Sequence, residues 1–268
     1  MAELWLWEDC FLQGGIAAAA VALAASESLT IGLGVLPAPL RNVVTTAMEI
    51  ATLDAMFPGR IRVGIGHGVQ DWMRQAGAAV ASPMTLMREY VTALSDLLAG
   101  QSVTVDGRYV RLTDVRLDWA PQQRVPVLIG GTGPKTLGLA GEIADGVILD
   151  ARYTVATLRD ALAHVASGRA DRGEMGFSAV LFLACGAAQI AGSAGPYLDA
   201  GVDTLVFQPV GPQTALPELI AAVGDVAARL PAPLGADQPS VAVCQPFSRA
   251  AHRPDAGHGH QHDRHVPR

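Results

Sequence analysis

The sequence predicts an α/β fold in which repeated β-α units surround a parallel sheet, and three observations carry that reading. Short apolar runs alternate with longer segments of helical period from Leu4 to about Leu230. Most of these runs lack polar alternation, as strands buried on both faces do. Half of the 268 residues are hydrophobic (50%) and only 16% are charged, enough apolar surface for one large core that need not divide.

The expected strands, in order, are Leu4–Trp7, Leu29–Val35, Ile61–Ile65, Val125–Ile129, Val147–Leu149, Ser178–Leu183 and Thr204–Phe207. Helices fit between them. Asn42–Met56 carries Val43, Ala47, Ile50, Ala51 and Leu53 on one face and stops at Pro58-Gly59, and Met84–Leu98 ends at Gly100. Within Val103–Leu117, two alternating runs flank Asp106-Gly107, which favours a tight hairpin turn and marks an antiparallel insertion. Seven strands are one short of a closed eight-stranded barrel, so the first β-α unit is expected to be missing before Leu4. From about Ala232 the chain is rich in Pro, Ala and Asp and ends in a His-rich tract without apolar period. The expected division is therefore a folded domain over 1–230 and a disordered tail over 231–268.

A net charge of −6 and the absence of a Lys/Arg cluster argue against nucleic-acid or anionic-membrane partners and leave small molecules. The cysteines Cys10, Cys185 and Cys244 are odd in number and far apart, which fits a reducing compartment, the cytoplasm, better than a disulfide framework. No apolar run is both long and unbroken enough to span a bilayer. The tail histidines His258, His260, His262 and His265 lack the surrounding support that a metal site needs, so no metal is expected.

Three segments are candidate sites. Val125–Leu149 reads as a complete β-α-β unit whose turn is Gly130-Gly131-Thr132-Gly133-Pro134-Lys135-Thr136. Thr132 or Gly133 can cap the helix and Pro134 suits its first turn, leaving backbone N–H groups to face an anion. Lys135, the chain's one lysine, can add its charge there. The turn departs from the dinucleotide fingerprint at Thr136 and from the P-loop at Pro134, so it indicates phosphate without naming the cofactor; Asp150 stands at a spacing suited to a ribose contact. The bland alternative is a Gly-rich connector.

Glu8-Asp9-Cys10 follows the first strand, where barrel chemistry resides, and reads either as functional acids or as helix-capping and solvated ones. Val63-Gly64-Ile65-Gly66-His67-Gly68 is a strand running into glycines that would let a flat ring lie against backbone. His67 could serve as acid, base or ring contact, or be structural.

Together, Leu4-Trp5-Leu6-Trp7-Glu8-Asp9, Gly32-Leu33-Gly34-Val35 continuing to Pro39-Leu40-Arg41-Asn42, Ala51-Thr52-Leu53-Asp54 with Pro58-Gly59-Arg60, Val63–Gly66, and Gly133-Pro134-Lys135 followed by Leu139–Gly146 resemble the luciferase-like flavin or deazaflavin oxidoreductases. The resemblance implies a (β/α)8 TIM barrel, usually a homodimer, that binds coenzyme F-420 (an 8-hydroxy-5-deazaflavin) or FMN. It implies a phosphate site at Gly131–Thr136, an acid beside the ring at Asp9, a strained bulge at Gly34-Val35, and a loop backing the ring around Gly66, His67 and Gly68. The Val103–Leu117 hairpin falls in the family's insertion region. Where the family often has histidine after the acid, this chain has Cys10, and the family's frequent Arg-His-Pro reads Arg41-Asn42-Val43. The functions left in view are hydride exchange with a small organic substrate, an FMN monooxygenase, a phosphate-binding lyase or isomerase, and an inactive truncated paralogue.

Overall fold

A computed structural model describes residues 3–172, 176–211, 216–229 and 239–244. Eight parallel strands close a barrel: β1 (Glu3–Leu6), β2 (Thr30–Pro37), β3 (Ile61–Gly66), β6 (Val127–Gly130), β7 (Gly146–Leu149), β8 (Ser178–Ala184), β9 (Thr204–Gln208) and β10 (Ser240–Cys244). Around the ring the order is β1-β10-β9-β8-β7-β6-β3-β2. The helices are α1 (Gly15–Ala24), α2 (Val43–Met56), α3 (Gln70–Gln75), α4 (Pro83–Leu98), α5 (Pro134–Ile143), α6 (Val155–Arg169), α7 (Ile190–Leu198) and α8 (Leu216–Ala227). β4 (Val103–Asp106) and β5 (Arg111–Val115) form the separate antiparallel hairpin.

The seven expected strands are all present, and the expected gap in the barrel is not. β10 fills it, pairing in parallel with β9 on one side and β1 on the other. The barrel therefore extends beyond the boundary expected near Leu230, to Cys244 at least. Residues 230–238 and 245–268, with the tail histidines, lie outside the described residues.

Strand alternation explains how β10 is seated. Ala242 and Cys244 point inward and join Trp5, Leu128, Ile148, Val180, Phe182 and Val206 in the barrel interior, whereas Val241 and Val243 join the larger cluster beneath the helices. Polar bonds tie the lower ends of the strands together. Glu3 accepts from Trp5 Nε1 (3.2 Å) and pairs with Arg62 (3.3 Å), Arg62 Nη1 reaches Thr204 Oγ1 (3.5 Å), and Thr204 bonds Ser240 across to β10 (2.9 Å).

Local chemistry sets the element ends. Asn42 caps α2 by accepting from Val44 N at 2.9 Å, and the left-handed Gly59 follows the helix, its N–H held by Asp54 Oδ1 at 3.0 Å. The hairpin turn differs from the expected tight turn on Asp106-Gly107. Asp106 pairs with Arg111, and the turn spans Gly107–Val110, closed by Gly107 N to Val110 O at 2.9 Å. Glu89 of α4 is the reason, since its carboxylate accepts from the N–H groups of Arg108, Tyr109 and Val110 at 2.8–3.0 Å.

Candidate active site

At the C-terminal ends of the strands, where barrel active sites form, lies a cavity of about 720 Å³. Its β2-β3-β6 side is built by close approach of backbone. The Leu33–Leu36 stretch breaks register against β3, with a cis peptide between Gly34 and Val35. The bulge turns Val35 across its neighbours: a Cβ on Gly66 would overlap Val35 Cγ2, and one on Gly130 would come within 2.6 Å of Val35 Cγ1. The glycines expected to make room for a ring thus make room for Val35, which forms the apolar floor on that side.

The turn after β6 is held from several directions. Gly131 N–H donates to Ile148 O (3.2 Å), and the Thr136 methyl occupies the space a Gly131 side chain would need. Tyr153 Oη donates to Thr132 O (3.0 Å), and Tyr197 Oη to Tyr153 O (3.2 Å). Gly133 is the N-cap of α5, without a side-chain cap, and Pro134 opens the helix. A Cβ on Gly133 would meet nothing within 4 Å, so the space beside the start of α5 is open. An uncapped helix N-terminus with open glycine before it suits an anion.

His67 connects β3 to this turn. Its Nε2 lies 3.1 Å from Thr136 Oγ1. Burial lowers its pKa below the ordinary 6.5, although a hydrogen bond to the Pro83 backbone works the other way, so the ring is neutral at pH 7. Gly68 beyond it has φ +68°, with the Met73 sulfur 2.7 Å from where a Cβ would stand.

The acids after β1 separate into two roles. Glu8 is structural: it accepts from Arg41 at 2.7 and 2.5 Å and from Gly15 N–H at 2.6 Å, and so serves the uncapped start of α1. Asp9 lines the cavity, as do Glu8 and Cys10. Burial, then the charge of Asp9, pushes the thiols of both Cys10 and Cys244 up, so neither is a thiolate at neutral pH. Across the mouth, Asp150 is engaged by Arg152, whose Nε lies 2.8 Å from each carboxylate oxygen.

Asp9, Gly34, Val35, Gly66, His67, Gly68, Gly130, Gly131, Thr132, Gly133 and Thr136 all line this one cavity. Lys135 is the exception among the expected residues, standing exposed and outside the lining. Sequence reasoning missed Trp7, Trp72, Arg152, Phe182 and Gln208 as lining residues. Only Gln208 carried a usable signal, as the first polar residue after the apolar run Thr204–Phe207.

Residues 2–191 match the luciferase-like monooxygenase family. A 5,10-methylenetetrahydromethanopterin reductase of Methanolobus tindarius is 34% identical over 128 residues, 48% of this chain and 39% of that protein. An F-420-dependent glucose-6-phosphate dehydrogenase of Microbacterium testaceum is 34% identical over 131 residues, 47% of this chain and 38% of that one. The match thus spans roughly two-fifths of these relatives. The solved coenzyme F-420 dependent tetrahydromethanopterin reductase of Methanopyrus kandleri superposes with a TM-score of 0.62 at 21% identity, over 75% of this chain and 68% of that one, a likeness of fold.

Proposed function

The chain belongs to the luciferase-like monooxygenase family, and from that premise we propose that it is an oxidoreductase using F-420 or FMN to exchange hydride with a small organic substrate. One observation carries the reading: a single cavity joins an uncapped helix N-terminus, open at Gly133, to the Val35 floor over Gly66 and Gly130. That combination suits a molecule with a flat ring and a phosphate. Bound there, a deazaflavin or flavin supplies the hydride chemistry.

The chain's own residues bind and orient. Thr132, Gly133 and Thr136 hold the phosphate, Gly131 fixes the turn behind them, Gly34 and Val35 support the ring, and Gly66 and Gly68 shape the strand end beside it. Asp9 tunes the ring's surroundings or holds a proton at the substrate. His67 is a positioning residue that keeps Thr136 in place. As in the family resemblance, the working unit is a homodimer.

F-420 is the leading cofactor, supported by the name of the F-420-dependent dehydrogenase relative. The family's description supports the reaction of the second reading, a monooxygenase, for which the resemblance implies FMN. An imine-forming lyase finds little support, because the only lysine stands outside the cavity lining. Fluorescence titration with F-420 and FMN separately tests the proposal: binding of one at micromolar concentration is expected, and binding of neither removes it. Oxygen consumption with reduced FMN but not with reduced F-420 would favour the monooxygenase.

A further inference from the structure

The ring order of the strands divides the mouth in a way that bears on the substrate. In the eight-strand ring, β6, β3 and β2 stand opposite β10, β9 and β8, with β1 and β7 at the two seams. The first arc carries the glycines, Val35, His67, Trp72 and the anion turn, and the Phe182 ring comes close to Gly34. The opposing arc and the β1 seam carry different chemistry. Phe182 of β8 meets Trp7 beyond β1 with ring centroids 6.3 Å apart and planes tilted by 42°, and Trp5 braces Phe182 edge-on from below at 5.8 Å and 83°. Gln208 of β9 lines the same part of the cavity and brings one amide, donor and acceptor together.

The charges on this side select against anions. Among the described residues, Arg152 is the only arginine or lysine lining the cavity; it sits past the β7 seam and is already engaged by Asp150. Arg41 is bound to Glu8 and Glu49. The ring of His67 is neutral and faces Thr136. Glu8 and Asp9 are the charged groups closest in sequence to Trp7, and they are acids. A phosphate ester or carboxylate entering here would lose water beside the Asp9 carboxylate and the Arg41-paired Glu8, with no uncommitted arginine or lysine in the described lining.

Resting on the proposed redox reading, we infer that the substrate is an uncharged aromatic or alicyclic molecule, held against Trp7 and Phe182 and oriented by one polar group on Gln208. A sugar phosphate, the substrate class named for some of the relatives, does not suit this half of the mouth.

The test uses three probes that share one ring and differ in charge: 2-acetylnaphthalene, 2-naphthoate and 2-naphthylmethylammonium, with glucose 6-phosphate as a fourth. Each is titrated calorimetrically into the full chain, with and without F-420 or FMN. The neutral ketone should bind at least about tenfold more tightly than the naphthoate and than glucose 6-phosphate. Trp7→Ala should weaken the ketone by about tenfold, and Gln208→Leu by several-fold, with cofactor affinity changed less than about twofold. Equal or tighter binding of the naphthoate, the ammonium or the sugar phosphate overturns the inference, as does a ketone affinity indifferent to both variants. Failure of both cofactors to bind is a separate result against the redox reading, and the probe order on the protein alone still decides the substrate class.

Discussion

The two arcs of the barrel mouth are made of different materials. On the β2-β3-β6 side the strand ends are glycine-rich backbone crossed by Val35, with Pro37, His67, Trp72 and Thr136 also in the lining. On the β8-β9-β10-β1 side it is made of side chains, Trp7, Phe182 and Gln208, carried on strands distant in sequence. A surface of backbone has few atoms to lose and no room to gain any, whereas one of side chains tolerates repacking and can vary its chemistry.

The sharpest way to break the comparison is to add one carbon to the backbone arc. Gly66→Ala and Gly130→Ala each drive a methyl into Val35 and should cost about 2–3 kcal/mol of stability, read as a fall in melting temperature. Cofactor affinity should fall at least tenfold in whichever variant still folds, on the order of 1.4 kcal/mol or more. An unchanged melt and titration would mean that the backbone arc is not close-packed.

On the β1 seam the largest effect belongs to Glu8. Its carboxylate serves Arg41 and the start of α1 together, with side-chain exposures of 11% and 18% for Glu8 and Arg41. Glu8→Gln should cost about 2 kcal/mol in denaturant unfolding. Loss of activity from this variant in proportion to its lost stability would agree with a structural role, and a selective loss at full stability would not.

His67 gives a smaller and pH-dependent effect. Its folded pKa is depressed below 6.5, so the unfolded chain binds the proton more readily. Its share of stability is present above about pH 6.5 and is lost as pH falls toward the folded value. His67→Gln should flatten that part of the stability-pH curve, with about 1 kcal/mol or less at pH 7. Smallest of all is Arg152→Ala, which removes a pair with side chains 67% and 47% exposed and should stay within about 0.5 kcal/mol.

What could be read in the sequence follows the same division. The anion turn is legible because its parts, from Gly130 to Thr136, are consecutive and their chemistry is local. Seven strands are legible because each is a short apolar run followed by a helical period. Ser240–Cys244 was hidden: it is five residues long, lies in a Pro- and Ala-rich region, and has partners in β1 and β9 that only barrel closure brings near. Trp7 and Phe182 were hidden for the same reason, since nothing in their local sequence says that they meet, and Gln208 showed only as the first polar residue after an apolar run. The bulge explains the remaining difference: glycine at 66 and 130 was visible, and the side chain it accommodates, Val35 on another strand, was not.

The central claim is that the turn after β6 holds a cofactor by its phosphate. FMN and riboflavin differ only in that group, and F-420 can be paired in the same way with its phosphate-free deazaflavin. Calorimetric titration of each pair into the full chain should show the phosphate-bearing member of at least one pair binding tighter by about 3 kcal/mol, on the order of a hundredfold. Equal affinity within both pairs would contradict the account.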